Sequence, residues 1–198
     1  MINLPTICEA IQLAPKVVCE VGVNEPDKCS FAWCDEIKGI SVLLVEPLPW
    51  CAENLRQAFP NATVIEAACG PEKGTTRLFD RGEGSWIEQV PEGSAPDEHR
   101  NHSNMKRQEF EARFIRETKV VRFADIDPGD IDILCVDIEG AEWFVIQQMI
   151  SRPRLVRVET HFSHSGYENP HLKEIKERMA DRGYRELMQD VSDTLWIL

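Results

Sequence analysis

Apolar positions along this chain gather in short β-branched runs, each followed by a stretch with charged residues at helical spacing. Runs too short for a buried helix read as strands covered on both faces. Leu4 to Ala14 reads as a leading helix with Thr6 as its cap, and Lys16 to Gly22 as the first strand. Asn24, Pro26 and Asp27 then fit an N-cap, a first-turn proline and a capping-box acid, predicting a helix to Lys38 closed by Gly39. Ser41 to Glu46 is the second strand, Trp50 to Phe59 the next helix, and Ala62 to Ala67 a third strand ending at Ala68, Cys69 and Gly70. Such an alternation is the opening half of a doubly wound parallel sheet.

The pattern then loosens. Gly74 to Phe79 reads as a short strand, but from Asp80 to about Asn104 the chain is rich in Gly, Pro, Ser and charge. An excursion of that length is a lid or a disordered segment. Lys106 to Glu117 has helical character, and Lys119 to Phe123 that of a strand. After the turn at Pro128-Gly129 come a strand over Ile131 to Val136, a helix over Trp143 to Ile150 and a strand over Leu155 to Thr160. A helix over Pro170 to Ala180 follows, with Gly183 just beyond it. Tyr184 to Met188 and Thr194 to Leu198, joined by a turn-like Asp190 to Asp193, predict an antiparallel pair. The expected architecture is an α/β, Rossmann-like sheet, mostly parallel with an antiparallel C-terminal pair. It forms one domain over residues 1–198, with a variable excursion at about 80–117.

The net charge of -12 argues against a nucleic-acid backbone as the main partner. The apolar runs fall short of a membrane span, and the first residues lack the basic-then-apolar order of a signal peptide. A cytoplasmic protein is the expectation, and a homodimer is possible, though no apolar stripe argues for one. The seven cysteines form no CxxC pair and sit mostly in apolar stretches, so they read as reduced, structural thiols.

Candidate chemistry collects at the strand ends. Glu20, Glu46 and Asp137 close three parallel strands at the edge where such sheets bind ligands. An acid ending the second strand suits the two hydroxyls of a ribose, with Gly22 on the neighbouring strand allowing close approach. The first loop, Glu20 to Pro26, lacks the GxGxxG that seats a pyrophosphate, and its acids would repel one. A cofactor with a ribose, no phosphate and a positive centre fits better. S-adenosylmethionine has those features, with Glu20 near its cationic end.

The run Ile131-Asp132-Ile133-Leu134-Cys135-Val136-Asp137-Ile138-Glu139-Gly140-Ala141-Glu142 resembles the FkbM family of S-adenosylmethionine-dependent methyltransferases. Val45-Glu46-Pro47 with Pro49, then Asn54-Leu55, are similar to the family's second strand end and following helix. Glu20, Gly22 and Asn24 resemble its first loop, and Glu159-Thr160-His161 its late strand end. The resemblance spans Val18 to about His161 and implies a class I methyltransferase sheet. Two positions depart from the pattern: Pro26 stands where the family usually has Gly, and Cys135 where it usually has Lys.

The resemblance implies a cofactor site of Glu20, Gly22, Asn24, Glu46, Ala68 and Asp137. The acceptor it implies is a hydroxyl of a small molecule or glycan. His161, Asp137 and Glu139 are the candidates for taking the acceptor's proton, His161 having the ordinary pKa best placed for it. His161 reads equally well as a loop-bracing histidine, and Glu142 as a plain helix-start acid. Asp137, Glu139, Glu159 and His161 carry ligand types that suit a divalent metal, but the resemblance requires none and none is assigned. Ser85 and Trp86 are candidate lid contacts, with a lone exposed aromatic as the blander reading; His99, Arg100 and His102 read as a charged loop. N-methyl transfer and an inactive methyltransferase-fold binding module are the competing functions.

Overall fold

The computed structural model describes residues 2–34, 39–81, 84–91, 115–162 and 167–198. In chain order its first strands are β1 (Val17–Val21), β2 (Ser41–Val45), β3 (Thr63–Ile65), β4 (Ala68–Cys69), β5 (Gly74–Phe79) and β6 (Trp86–Ile87). Then come β7 (Ile115–Val121), β8 (Ile133–Val136), β9 (Leu155–Glu159), β10 (His161–Phe162), β11 (Tyr167–Glu168), β12 (Arg185–Gln189) and β13 (Asp193–Ile197). The described α-helices are α1 (Leu4–Ala10), α2 (Pro49–Ala58), α3 (Glu142–Ile146) and α4 (Leu172–Asp181).

Seven strands form the main sheet in the order β3-β2-β1-β8-β9-β13-β12. The first five positions run parallel, and β13 inserts antiparallel to both β9 and β12. The C-terminal antiparallel pair is therefore as expected. Alternation along the strands sends apolar residues to two cores. Cys19, Val21, Leu134, Val136, Val156 and Val158 pack under α3 and α4, which contribute Val145, Ile146, Ile175 and Met179. On the opposite face, Val18, Leu44, Ile133 and Leu155 meet Leu4 and Cys8 of α1 and Leu55 of α2. The result is a three-layer α/β/α arrangement.

One polar tie at the far end of this core is made by a tyrosine. Tyr184 is buried and its hydroxyl donates to the Pro153 carbonyl at 2.8 Å. Tyr184→Phe removes the donor and leaves one buried carbonyl unpaired, a loss of about 1–2 kcal/mol. Urea unfolding should show a lower midpoint at unchanged slope.

Local chemistry shifted several predicted boundaries. Asn3, not Thr6, caps α1, its Oδ1 accepting the Thr6 N–H at 3.0 Å, and the helix stops at Ala10 before the left-handed Gln12 (φ 55°). Asn24 is not an N-cap: its φ of 60° is left-handed, whereas an N-cap is extended. The helix predicted after it is replaced over the described residues by two short 3₁₀ turns, Pro26–Lys28 and Ala32–Cys34; its predicted end at Lys38 lies outside them.

The third strand stops at Ile65, and Ala68–Cys69 joins a second sheet of order β4-β7-β5-β6. Ile115 to Glu117, predicted helical, are strand because each pairs antiparallel with β5. The remainder of that predicted helix, and His99, Arg100 and His102, lie outside the described residues. No described helix is long and apolar enough to cross a membrane. All seven cysteines are free thiols, and burial pushes those of Cys34, Cys51, Cys69 and Cys135 up to about 12. They are protonated near neutral pH, and a protonated thiol is a poor nucleophile and metal ligand.

Candidate functional site

The C-terminal ends of β1, β2 and β8 open into a cleft of about 510 Å³, its mouth included. Gly22, Asn24, Glu46, Ala68, Asp137 and Glu139 all line it. Five of the six predicted cofactor residues thus meet in one cavity; Glu20 is not among its lining residues.

Glu46 is 3 % exposed, yet it faces a cavity rather than a hydrophobic partner. Its Oε2 accepts the Asn24 N–H at 2.8 Å and its Oε1 the Leu48 N–H at 2.9 Å. The left-handed turn at Asn24 is what aims that N–H, a conformation Asn tolerates better than most residues. A carboxylate has about four acceptor sites, so two remain for donors from the cleft. Burial, helped by nearby Glu25, pushes the Glu46 carboxyl up to about 7 against the pull of the two N–H groups. The loop is tied to α2 as well, where the Asn54 amide donates to Glu25 at 2.9 Å. Pro26 is absent from the cleft lining.

Gly22 lines the cleft and also serves a close approach within the backbone. Its φ is +84°, and a Cβ there would stand 1.7 Å from the Asp137 carbonyl oxygen. The missing side chain lets the ends of β1 and β8 close on each other. Beyond Asp137 the chain turns through two left-handed residues, Glu139 (φ 56°) and Gly140 (φ 100°). Such a turn is costly for a non-glycine residue and must be held from outside. Glu142 holds it. Fully buried, its carboxylate accepts the N–H groups of Ile138 (2.9 Å) and Gly140 (3.2 and 3.1 Å) and the side-chain amide of Asn169. Reading Glu142 as a plain helix-start acid misses this. Asn169 lies too far along the sequence for any local pattern to expose it.

Glu20 departs from its predicted place because strand alternation turns it away from its neighbour Val21, which lines the cleft. Its carboxylate accepts the Ser30 N–H at 2.8 Å and the Ser30 hydroxyl, with Arg157 at 3.6 Å. Burial raises its pKa and Arg157 opposes the shift. Glu20, Cys135 and Arg157 occupy matching register positions on β1, β8 and β9. The cation missing at Cys135 is thus supplied one strand over. Arg157 also donates to Ser30 Oγ at 2.7 Å and reaches Asp193 at 4.0 Å.

The second sheet builds the remaining wall. Leu78, Ser85 and Ile87 line the cleft beside Ala68. Trp86 is buried rather than an exposed loop aromatic, and stacks on Phe79 with centroids 5.1 Å apart. Part of the predicted excursion is therefore structured wall. His161 begins β10, paired with Glu168. Its side chain lies outside the described part of the structure.

This sheet order, with its inserted antiparallel strand and a buried acid closing β2, defines a class I methyltransferase fold, whose methyl donor is S-adenosylmethionine. Residues 20–186 match the methyltransferase FkbM domain, and the chain belongs to that family. Among solved structures it is similar to methyltransferase FkbM from Methylobacillus flagellatus KT, at 15% identity and a TM-score of 0.53. That match covers 93% of this chain and 44% of the other, so the chain spans under half that relative's length. It is also similar to a ribosomal protein L11 methylase from Lactobacillus delbrueckii subsp. bulgaricus, at 11% identity and a TM-score of 0.51, covering 96% of this chain and 73% of that one. Identities this low speak for the fold alone. No curated protein matches the chain.

The residues present fit the cofactor. Glu46 keeps free acceptor sites toward the cavity, and the small Ala67 and Ala68 leave room beside it. The lining acids Asp137 and Glu139 suit a positive centre.

Proposed function

We propose that the chain is a cytoplasmic, single-domain O-methyltransferase acting on a hydroxyl of a small molecule or glycan. The observation that carries this reading is that Asp137 and Glu139 line the same cleft as Glu46 and Asn24. Cofactor residues and candidate bases therefore share one cavity. Glu46 receives the ribose, with Asn24, Gly22 and Ala68 shaping the pocket around it. The bound cofactor supplies an electrophilic methyl group on a sulfonium.

What remains for the protein is to orient the acceptor and take its proton. Asp137 is the group assigned to that in this reading. Burial raises its pKa, with Asp193 and Glu142 adding to the shift, which makes it a better proton acceptor than an ordinary aspartate. Glu139 and His161 are the further candidates, His161 lying two residues past the buried Glu159. The acidic net charge of -12 favours a neutral acceptor over a nucleic acid.

The test is S-adenosylhomocysteine formation from S-adenosylmethionine across a panel of sugar and polyketide hydroxyls, for the wild type and Asp137→Asn. Turnover should depend on the acceptor and fall by about 10²–10⁴ in the variant, with S-adenosylhomocysteine affinity changed far less. A folded protein that binds neither cofactor form would sink the methyltransferase reading. Undiminished turnover in the variant would remove Asp137 from the base role alone.

A further inference from the structure

Glu159 ends β9 beside the end of β8 and is 6 % exposed. Its Oε2 is buried with no hydrogen-bond partner. A buried carboxylate oxygen without a donor is costly and calls for a ligand. The charges that weigh most on it are themselves acids: Asp137, Glu139, Glu142 and Asp193. Ligand atoms of Asp137, Glu142 and Glu159 all lie within 4.8 Å of one another.

Carboxylates at such a spacing cannot all stay ionised with nothing between them. Glu142 is already satisfied by Ile138, Gly140 and Asn169, so it adds charge more than coordination. Asp137 and Glu159 are hydrogen-bonded to each other, and Glu159 Oε2 still lacks a partner. Asp137 also lines the cleft, so a ligand held between them sits at the cleft's edge.

We propose that Asp137 and Glu159 hold one hard divalent cation, Mg²⁺ or Mn²⁺, at the margin of the cleft. The described donors are all carboxylate oxygens, which select hard cations over zinc or copper. Two protein carboxylates with the remaining positions left to water or substrate is the usual way Mg²⁺ is held. A single shared proton neutralises one charge of the cluster, whereas a divalent cation neutralises two. If the methyl-transfer reading above is right, and only then, Asp137 would hold the cation through one oxygen and keep the other for the acceptor's proton, while the cation orients the acceptor oxygen.

Titration of the full chain with MnCl₂, followed by the electron paramagnetic resonance signal of free Mn²⁺, tests the site without reference to activity. One Mn²⁺ per chain should bind saturably below about 1 mM, with Mg²⁺ competing for it. Glu159→Gln should weaken binding by about ten- to hundredfold. The same variant relieves the carboxylate repulsion, so metal-free it should melt at or above the wild-type temperature, and Mn²⁺ should no longer raise that temperature. Absence of bound Mn²⁺ in the folded wild type near pH 7.5, as a shared proton would give, overturns the proposal. So does binding that is equal in the variant. S-adenosylhomocysteine titration on the same samples reports the cofactor site separately, so failure of one reading is not failure of the other.

Discussion

Glu46→Ala is expected to weaken S-adenosylhomocysteine binding by about 10- to 150-fold, the equivalent of about 1.5–3 kcal/mol for hydrogen bonds to a charged group. The carboxylate is buried at the end of β2 and lines the cleft, and its two backbone donors leave it acceptor capacity. Alanine takes away that capacity and also leaves the N–H groups of Asn24 and Leu48 without their acceptor. Glu46→Gln separates the two effects, because its amide oxygen can still accept one N–H while the charge is gone. Affinity should drop for both variants, and stability mainly for alanine.

The same residue gives cofactor affinity a pH dependence whose sign is fixed. Ribose hydroxyls donate, so the ionised carboxylate is the form that binds. With its pKa near 7, Glu46 is mostly protonated at pH 6 and mostly ionised at pH 8. Dissociation constants should therefore tighten by about tenfold across that interval, and Glu46→Gln should flatten the profile. Folding runs the other way. A carboxyl whose folded pKa is raised favours the folded state most at low pH, and that contribution fades between about 4.5 and 7. Calorimetric titration at several pH values checks the first claim; affinity that is flat with pH in the wild type would break the link between Glu46 and the ribose.

The alternation of short apolar runs with amphipathic stretches made the sheet legible, because strands buried on both faces leave no other reading for such runs. The mostly parallel sheet, its antiparallel end and the placing of Gly22, Glu46 and Asp137 at one edge followed from it; Asn24 and Ala68 joined them through the family resemblance. What misled was local ambiguity. Asn24 has the chemistry of an N-cap and of a left-handed turn alike, and the choice was made by Glu46, well downstream, which takes its N–H. Glu20 looked like Glu46 at a strand end, yet the register sets it opposite Leu44, two residues short of Glu46 and inside the sheet, where Arg157 meets it. The strands were readable, but how far along each one an acid sits was not.

The carboxylate cluster was legible only in part. Asp137 and Glu159 already stood together among the possible metal ligands and the parallel pairing of β8 with β9 brings those two together, but Glu142 and Asn169, which lie on other segments, had no sequence pattern to mark them. Ser85 and Trp86 show the converse case. A stretch with loop composition contributes a cleft-lining hydroxyl and a buried aromatic, because β5 offers Trp86 an edge to pair with and Phe79 to stack on.

Gly22→Ala is expected to be the most damaging single substitution in the fold, at about 3–5 kcal/mol. Two costs add. A left-handed φ of +84° costs an L-residue about 1–2 kcal/mol. The new Cβ would also meet the Asp137 carbonyl oxygen at 1.7 Å and Ile138 Cγ2 at 2.7 Å. Backbone oxygen cannot step aside as a flexible side chain would, so the ends of β1 and β8 must separate. Asp137 would move with β8, spoiling its place in the cleft and beside Glu159. Gly129→Ala isolates the conformational part: its φ is +92°, but nothing lies within 4 Å of the added carbon. That variant should lose only about 1–2 kcal/mol and keep cofactor affinity. Urea denaturation of both, with S-adenosylhomocysteine titration under native conditions, decides the matter. Equal losses at the two glycines would show that the approach of β1 to Asp137 is not what Gly22 secures.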